Sequence, residues 1–148
     1  MPAPDHRPIG LTLARTAKAV SRAFDARLTE AGASLPVWLV LLSLRTRRLG
    51  TQRELAETLG IQGATLTHHL NAMEDAGLLT RRRDPNNRRV HLVELTAEGD
   101  ALFDRLRAAA MAHDERVRAG LTREEVDRLT ELLDRIRDNV TEGPAMSR

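Results

Sequence analysis

Apolar residues recur at Ile9, Leu13, Ala17, Val20, Phe24, Leu28 and Ala31, at spacings of 4, 4, 3, 4, 4 and 3. That rhythm holds one stripe on one side of an α-helix and predicts a long first helix ending near Gly32. So long a stripe at the start of a small chain needs a surface to lie against, and part of it is expected to meet a second copy of the chain. The plainer reading is that it covers only its own core. Ser34 is placed to cap a second helix, about Leu35–Arg48, with Pro36 in its first turn and Leu49-Gly50 closing it. Val37–Leu44 is apolar nearly all round, which is the pattern of a helix buried in the middle of a fold. Thr51-Gln52-Arg53-Glu54 is a capping box. The short helix behind it carries Leu55, Ala56 and Leu59 and stops at Gly60. After the turn Ile61-Gln62-Gly63, a helix over Ala64–Ala76 buries Leu66, Leu70 and Met73 and leaves Thr65, Thr67, His68 and Asn71 on its polar side.

At Gly77, a residue suited to a helix C-cap, the period changes. Two strand-like runs, about Leu79–Arg83 and Arg88–Leu95, are joined by Asp84-Pro85-Asn86-Asn87. This is type I turn chemistry: Asp84 bonds forward into the backbone, Pro85 pre-sets φ, and Asn tolerates the left-handed region. Thr96 then caps a long helix to about Ala119, with Leu102, Leu106, Ala109 or Ala110, and Val117 on one side and Gly120 at its end. Thr122-Arg123-Glu124-Glu125 is a second capping box. The last helix carries the stripe Val126, Leu129, Leu132, Leu133, Ile136 and Val140. The expected fold is mainly α with a small β-hairpin (α+β). Helix, turn, helix and then hairpin is the order of a winged helix-turn-helix.

Charge sharpens this picture. Residues 81–89 hold five arginines (Arg81, Arg82, Arg83, Arg88, Arg89) against Asp84, a formal +4. Residues 121–142 hold four Arg against seven Asp and Glu, a formal −3. The whole chain carries only +2, so it is local clustering that points to a polyanion. One end is suited to phosphate and the other to protein or water. The 148 residues suit one domain, or one compact subunit with extensions, and two Phe and one Trp leave the core to Leu, Val, Ile and Ala. The absence of cysteine excludes disulfides, thiolate metal sites and cysteine-based oxidant sensing. Val37–Leu42, the longest apolar run, is too short to span a bilayer, and the first eight residues, MPAPDHRP, lack the apolar region of a signal peptide. The expectation is a cytoplasmic protein without a membrane partner.

The candidate chemistry is recognition of double-stranded DNA. A major groove admits one helix, whose first residues reach base edges. Thr65 and Thr67 offer hydroxyls and methyls, and His68 offers a donor. Asn71 has the amide geometry for adenine, one turn deeper. Gln62 and Gly63 stand at the helix start, where a residue without Cβ lets a phosphate approach closely. Arginines at a hairpin tip suit the narrow, negative minor groove. Arg81, Arg82 and Arg83 lie on a strand and so alternate faces, with one or two to meet phosphate and one to pair internally. The plain alternative is a solvated polar surface. No Gly-x-Ser-x-Gly, His-Glu-x-x-His or phosphate-binding glycine loop occurs, so no catalytic residue and no cofactor is assigned. His68 and His69 are sequence neighbours on a helix and point about 100° apart. His113 has Val117 at i+4, and no metal site is assigned.

These residues resemble the MarR family of bacterial transcription regulators over about 9–140, most specifically over 51–99. The family's wing reads roughly R-x-x-D-P-x-D-R-R and then V-x-L-T-x-x-G. This chain has Arg81, Asp84-Pro85, Arg88-Arg89, Val93, Leu95-Thr96 and Gly99. The resemblance implies a homodimer built by the first helix and the last two, with Ile9, Leu13, Leu129, Leu133 and Ile136 in the interface. It implies a pseudo-palindromic operator with half-sites roughly 34–36 Å apart. Arg89, and next Arg88, would enter the minor groove, with Asp84 orienting such an arginine across the turn and Arg81 and Arg83 beside them. It also implies a repressor released by a small, often aromatic or anionic effector, for which Arg15, Phe24, Trp38 and Arg45 are the candidates. For Trp38 the competing reading is a core tryptophan. The expected organisation is a flexible arm over 1–8, a dimerisation helix over 9–33, the winged helix-turn-helix over 34–99, C-terminal dimerisation helices over 100–142 and a tail over 143–148. The chain departs from the family at Asn87, where Asp is frequent, at Gln62, where Ser or Thr usually caps, and at His68, where Arg is frequent. The alternatives are a winged helix used only for protein–protein contact and a metal-responsive regulator of the same fold.

Overall fold

The computed structural model describes residues 7–46 and 50–141, in two compact units that divide between His113 and Asp114. The chain order is α1 (Ile9–Glu30), α2 (Leu35–Thr46), α3 (Gln52–Leu59), α4 (Gly63–Asp75), β1 (Leu79–Asp84), β2 (Asn87–Leu95), α5 (Ala97–Arg118) and α6 (Arg123–Thr141). The expected last residues of the second helix (47–48) and Leu49 lie outside the described residues, as do 1–6 of the arm and the tail. Among the described residues, no single helix is long and apolar enough to cross a membrane.

Local chemistry sets the boundaries. Thr51 Oγ1 accepts from Glu54 N at 3.1 Å and donates to the Glu54 carboxylate at 2.8 Å. The box at α6 is the reciprocal form: Glu125 N donates to Thr122 Oγ1 at 3.1 Å and Thr122 N to Glu125 Oε1 at 3.5 Å. Gly60 ends α3 at φ 66°, a left-handed conformation that residues with a Cβ rarely adopt, and so permits the tight turn into α4.

The first unit has a core of Leu28, Val40, Leu41, Leu55, Leu66 and Leu70, closed by Leu79, Val93, Leu102 and Leu106. As its composition predicts, α2 lies at the centre of this unit, with Trp38, Val40, Leu41 and Leu44 buried. Trp38 is 7% exposed and stacks on Phe103 at 5.6 Å between ring centroids. The start of α5 is bound to the hairpin: Thr96 Oγ1 donates to Gly77 O at 2.6 Å and accepts from Gly99 N at 3.1 Å. A Cβ on Gly99 would lie 2.0 Å from Leu78 O, so only glycine fits there. In the second unit α6 buries no residue, and Leu129, Leu132, Leu133 and Val140 are exposed.

The turn falls where expected, with Asp84 paired to Asn87 around Pro85-Asn86, and the hairpin differs from the expectation in its register. The register is regular from Leu79↔Leu95 to Arg83↔His91 and then shifts, which leaves Arg88, Arg89 and Val90 without partners on β1. The result is a bulge in β2 beside the turn. At its base the hairpin gains an added edge, where Val93 N donates to Gly50 O at 2.8 Å and Thr51 bridges Leu92.

Candidate nucleic-acid interface

The candidate interface is built from α4, the α3–α4 turn and the hairpin tip. Gln62 sits at the N-cap of α4 in extended conformation and makes no side-chain cap bond. Nothing lies within 4 Å of where a Gly63 Cβ would be. The first backbone N–H groups of α4 are therefore left to the surroundings, where the helix dipole favours an anion. Behind this open end, Thr65, His68 and Asn71 are exposed and Thr67 is half-buried. The His68 and His69 rings meet edge-on, 5.9 Å apart.

The polar side of α4 is not uniformly free. Thr67 Oγ1 donates to Gly63 O at 2.9 Å and accepts from Gln52 Nε2 at 2.7 Å, tying α3 to α4. Asn71 Oδ1 accepts from Arg81 Nη2. The same guanidinium donates to Glu74 Oε1 at 3.2 Å, and the Arg81 backbone N–H donates to Glu74 Oε2 at 2.9 Å. The Arg81 side chain is 19% exposed. Its hydrogen bond to Glu74, together with its backbone N–H and its charge, outweighs desolvation and holds the Glu74 carboxyl below its usual 4.5.

The five wing arginines thus separate. Arg81 is bound to α4. Arg82 pairs with Glu94 across the ladder at 3.0 Å, a diagonal neighbour. Arg83, Arg88 and Arg89 are exposed and have no ion-pair partner among the described residues. Asp84 Oδ1 accepts from Asn86 N at 2.9 Å and Asn87 Oδ1 from Arg89 N at 3.2 Å, so two side chains hold the turn and the bulge. The expected bridge from Asp84 to an arginine is absent among the described residues; its carboxylate instead closes the turn. An open groove of about 810 Å³ runs between the start of α3 and the tip, past Thr51, Gln52, Arg53, Gly63 and Arg89. The open helix start at Gly63 and the unpaired Arg89 therefore line one groove, and Arg83 and Arg88 lie exposed on the same hairpin, an arrangement suited to a polyphosphate.

The sequence model of the MarR family matches residues 34–91, which span the helix-turn-helix and most of the hairpin. Transcriptional regulator PA3341 is 34% identical over 92% of this chain and 100% of its own, with a TM-score of 0.72. The chain belongs to the MarR family. It is a MarR-family transcription regulator, and its described residues form six helices and a two-stranded hairpin in the family's winged-helix arrangement. A mutant MarR from E. coli, complexed with operator DNA, is 25% identical over 87% of this chain and 93% of its own, at a TM-score of 0.76. The transcriptional repressor CouR, bound to a 23-mer DNA duplex, is 31% identical over 88% of this chain and 92% of its own, again at 0.76. CouR from Rhodococcus jostii RHA1 bound to p-coumaroyl-CoA is 26% identical over 95% of each chain, at 0.71.

The other residues singled out from this MarR-family sequence do not form one site. Arg45 donates to Asp100 at 2.8 Å and lies 5.1 Å from the centre of the Phe103 ring, whose other partner is Trp38. Phe24 stacks on buried His113 at 5.0 Å. Arg15 is exposed on α1. Of the expected interface residues, Ile9, Leu129 and Leu133 are exposed and Leu13 and Ile136 half-buried. Sequence reading missed Gln52, Glu74 and Glu94 as partners of Thr67, Arg81 and Arg82. Glu74 alone carried a local signal, seven residues from Arg81 across the Gly77 turn.

Proposed function

We propose that this regulator binds an operator in double-stranded DNA as a homodimer and represses transcription until a small effector releases it. In this reading α4 enters the major groove from its uncapped start, with Gln62, Gly63, Thr65 and His68 foremost. The bulged tip places Arg88 and Arg89 in the adjacent minor groove, and Arg83 faces the backbone. The observation that carries the reading is the separation of the wing arginines: two are tied internally and three are left unpaired at the tip. A merely solvated loop has no need of a bulge that frees them.

The dimer reading is supported by apolar surface left uncovered in one copy. Ile9 is 68% and Val140 78% exposed, and Leu129 and Leu133 are also open. Repression and small-molecule release are supported by CouR, named as a repressor on a DNA duplex and seen with p-coumaroyl-CoA. Here an effector of that kind, aromatic and anionic, would act near Phe24 and Trp38 with Arg15 or Arg45 supplying charge. Because Trp38 is a core residue, engaging it requires loosening its stack on Phe103.

The test is binding to the chain's own promoter by footprinting and anisotropy, followed by titration with p-coumaroyl-CoA and free phenolic acids. Protection of a palindromic site, and its loss with effector, is the expected result. The single tryptophan reports effector directly through its fluorescence. Binding that is indifferent to salt and sequence overturns the operator reading.

A further inference from the structure

The six residues of the α4 region assigned to DNA do not have equal freedom, and the hydrogen bonds decide which can read a base. A threonine hydroxyl has one proton, and that of Thr67 is donated to Gly63 O at 2.9 Å while Gln52 Nε2 donates into its oxygen at 2.7 Å. A bidentate contact to adenine needs both halves of an asparagine amide, the oxygen for N6–H and the nitrogen for N7. Asn71 Oδ1 already accepts from Arg81 Nη2, the same group that binds Glu74. Thr65 and His68 are exposed and both precede Asn71, His68 by about one turn, and no side-chain hydrogen bond engages them among the described residues.

We infer that Thr67 and Asn71 are positioning residues, and that sequence discrimination by α4 rests on Thr65 and His68. Thr67 fixes the α3–α4 angle through Gln52. Asn71 helps hold Arg81, and through it β1, against α4, so that wing and helix dock as one rigid piece. This inference rests on the proposed DNA binding and adds which side chains carry its specificity.

The experiment is selection of a preferred duplex from a randomised library by the wild-type full-length protein. Competition follows with every single-base-pair variant of that duplex, for wild type, Thr65→Ala, His68→Ala, Thr67→Ser, Thr67→Val, Asn71→Asp and Asn71→Ala. Asn71→Asp keeps an acceptor for Arg81 but cannot donate to adenine N7, so a base reader would lose its preference there. The expected result is that Asn71→Asp, Asn71→Ala and both Thr67 variants change affinity uniformly and keep every base-pair preference. Thr67→Ser should lie nearest wild type, and Asn71→Ala should speed amide exchange in β1. Thr65→Ala and His68→Ala should each flatten the preference at one or two base pairs, by roughly tenfold or more. If an Asn71 or Thr67 variant flattens one base pair while β1 exchange stays unchanged, the inference is overturned. If wild type selects no duplex, the operator reading itself fails, which is a separate outcome.

Discussion

Five arginines crowd one short hairpin, yet only three are available to a partner. Arg81 and Arg82 meet Glu74 and Glu94, whereas Arg83 at the end of the regular ladder and Arg88 and Arg89 in the bulge are exposed, with no ion-pair partner among the described residues. Each phosphate neutralised contributes about 0.9 to the log–log salt slope of duplex binding. Arg88→Ala and Arg89→Ala should therefore each lower that slope by about 1.8 in the proposed dimer, about 0.9 from each copy, while Arg82→Ala leaves it near the wild-type value; anisotropy titrations at several salt concentrations check this. Gly99 is the opposite kind of residue, a packing constraint with no chemistry of its own. Gly99→Val places carbon where Leu78 O lies 2.0 Å away, and should cost about 2–4 kcal/mol, read as a fall in unfolding midpoint. At this scale the sequence showed how many cations the wing holds and where its glycine stands. It did not show which cations are neutralised, because Glu94 reaches Arg82 only through the strand register.

At the scale of elements, caps made most boundaries legible. Thr51, Gly60, Gly77 and Thr122 act on their own neighbours, so their physics is local and readable. The bulge at Arg88–Val90 was not readable, since it is a mismatch between two strands rather than a property of either one. The Gln52–Thr67 bond likewise joins residues fifteen apart in sequence. The joint between α4 and β1 has a pH signature. The Glu74 carboxyl lies below its usual 4.5 because Arg81 hydrogen-bonds its charged form. A depressed carboxylate stabilises the fold above its unfolded value, and that contribution is lost as pH falls through the folded one. Wild type should thus show slower amide exchange in β1 than Glu74→Gln near neutral pH, and the difference should vanish on acidification below 4.5. A gap that persists unchanged in acid would assign the joint to packing instead.

For the whole molecule, a single copy leaves too much apolar surface uncovered. The stripe of α6 was legible as a helix face from its spacing, and in the proposed dimer it is a second copy that covers it. Leu129→Asp or Ile136→Asp should convert dimer to monomer in light scattering, with the helix-turn-helix still folded by circular dichroism. The most direct test of the account is equilibrium binding of the full-length protein to its selected duplex between about 50 and 200 mM salt. Two copies per duplex, with affinity falling about a thousandfold or more over that range, is the predicted result for six or more phosphate contacts. One copy per duplex, or an affinity unmoved by salt and equal on a scrambled duplex, would contradict it.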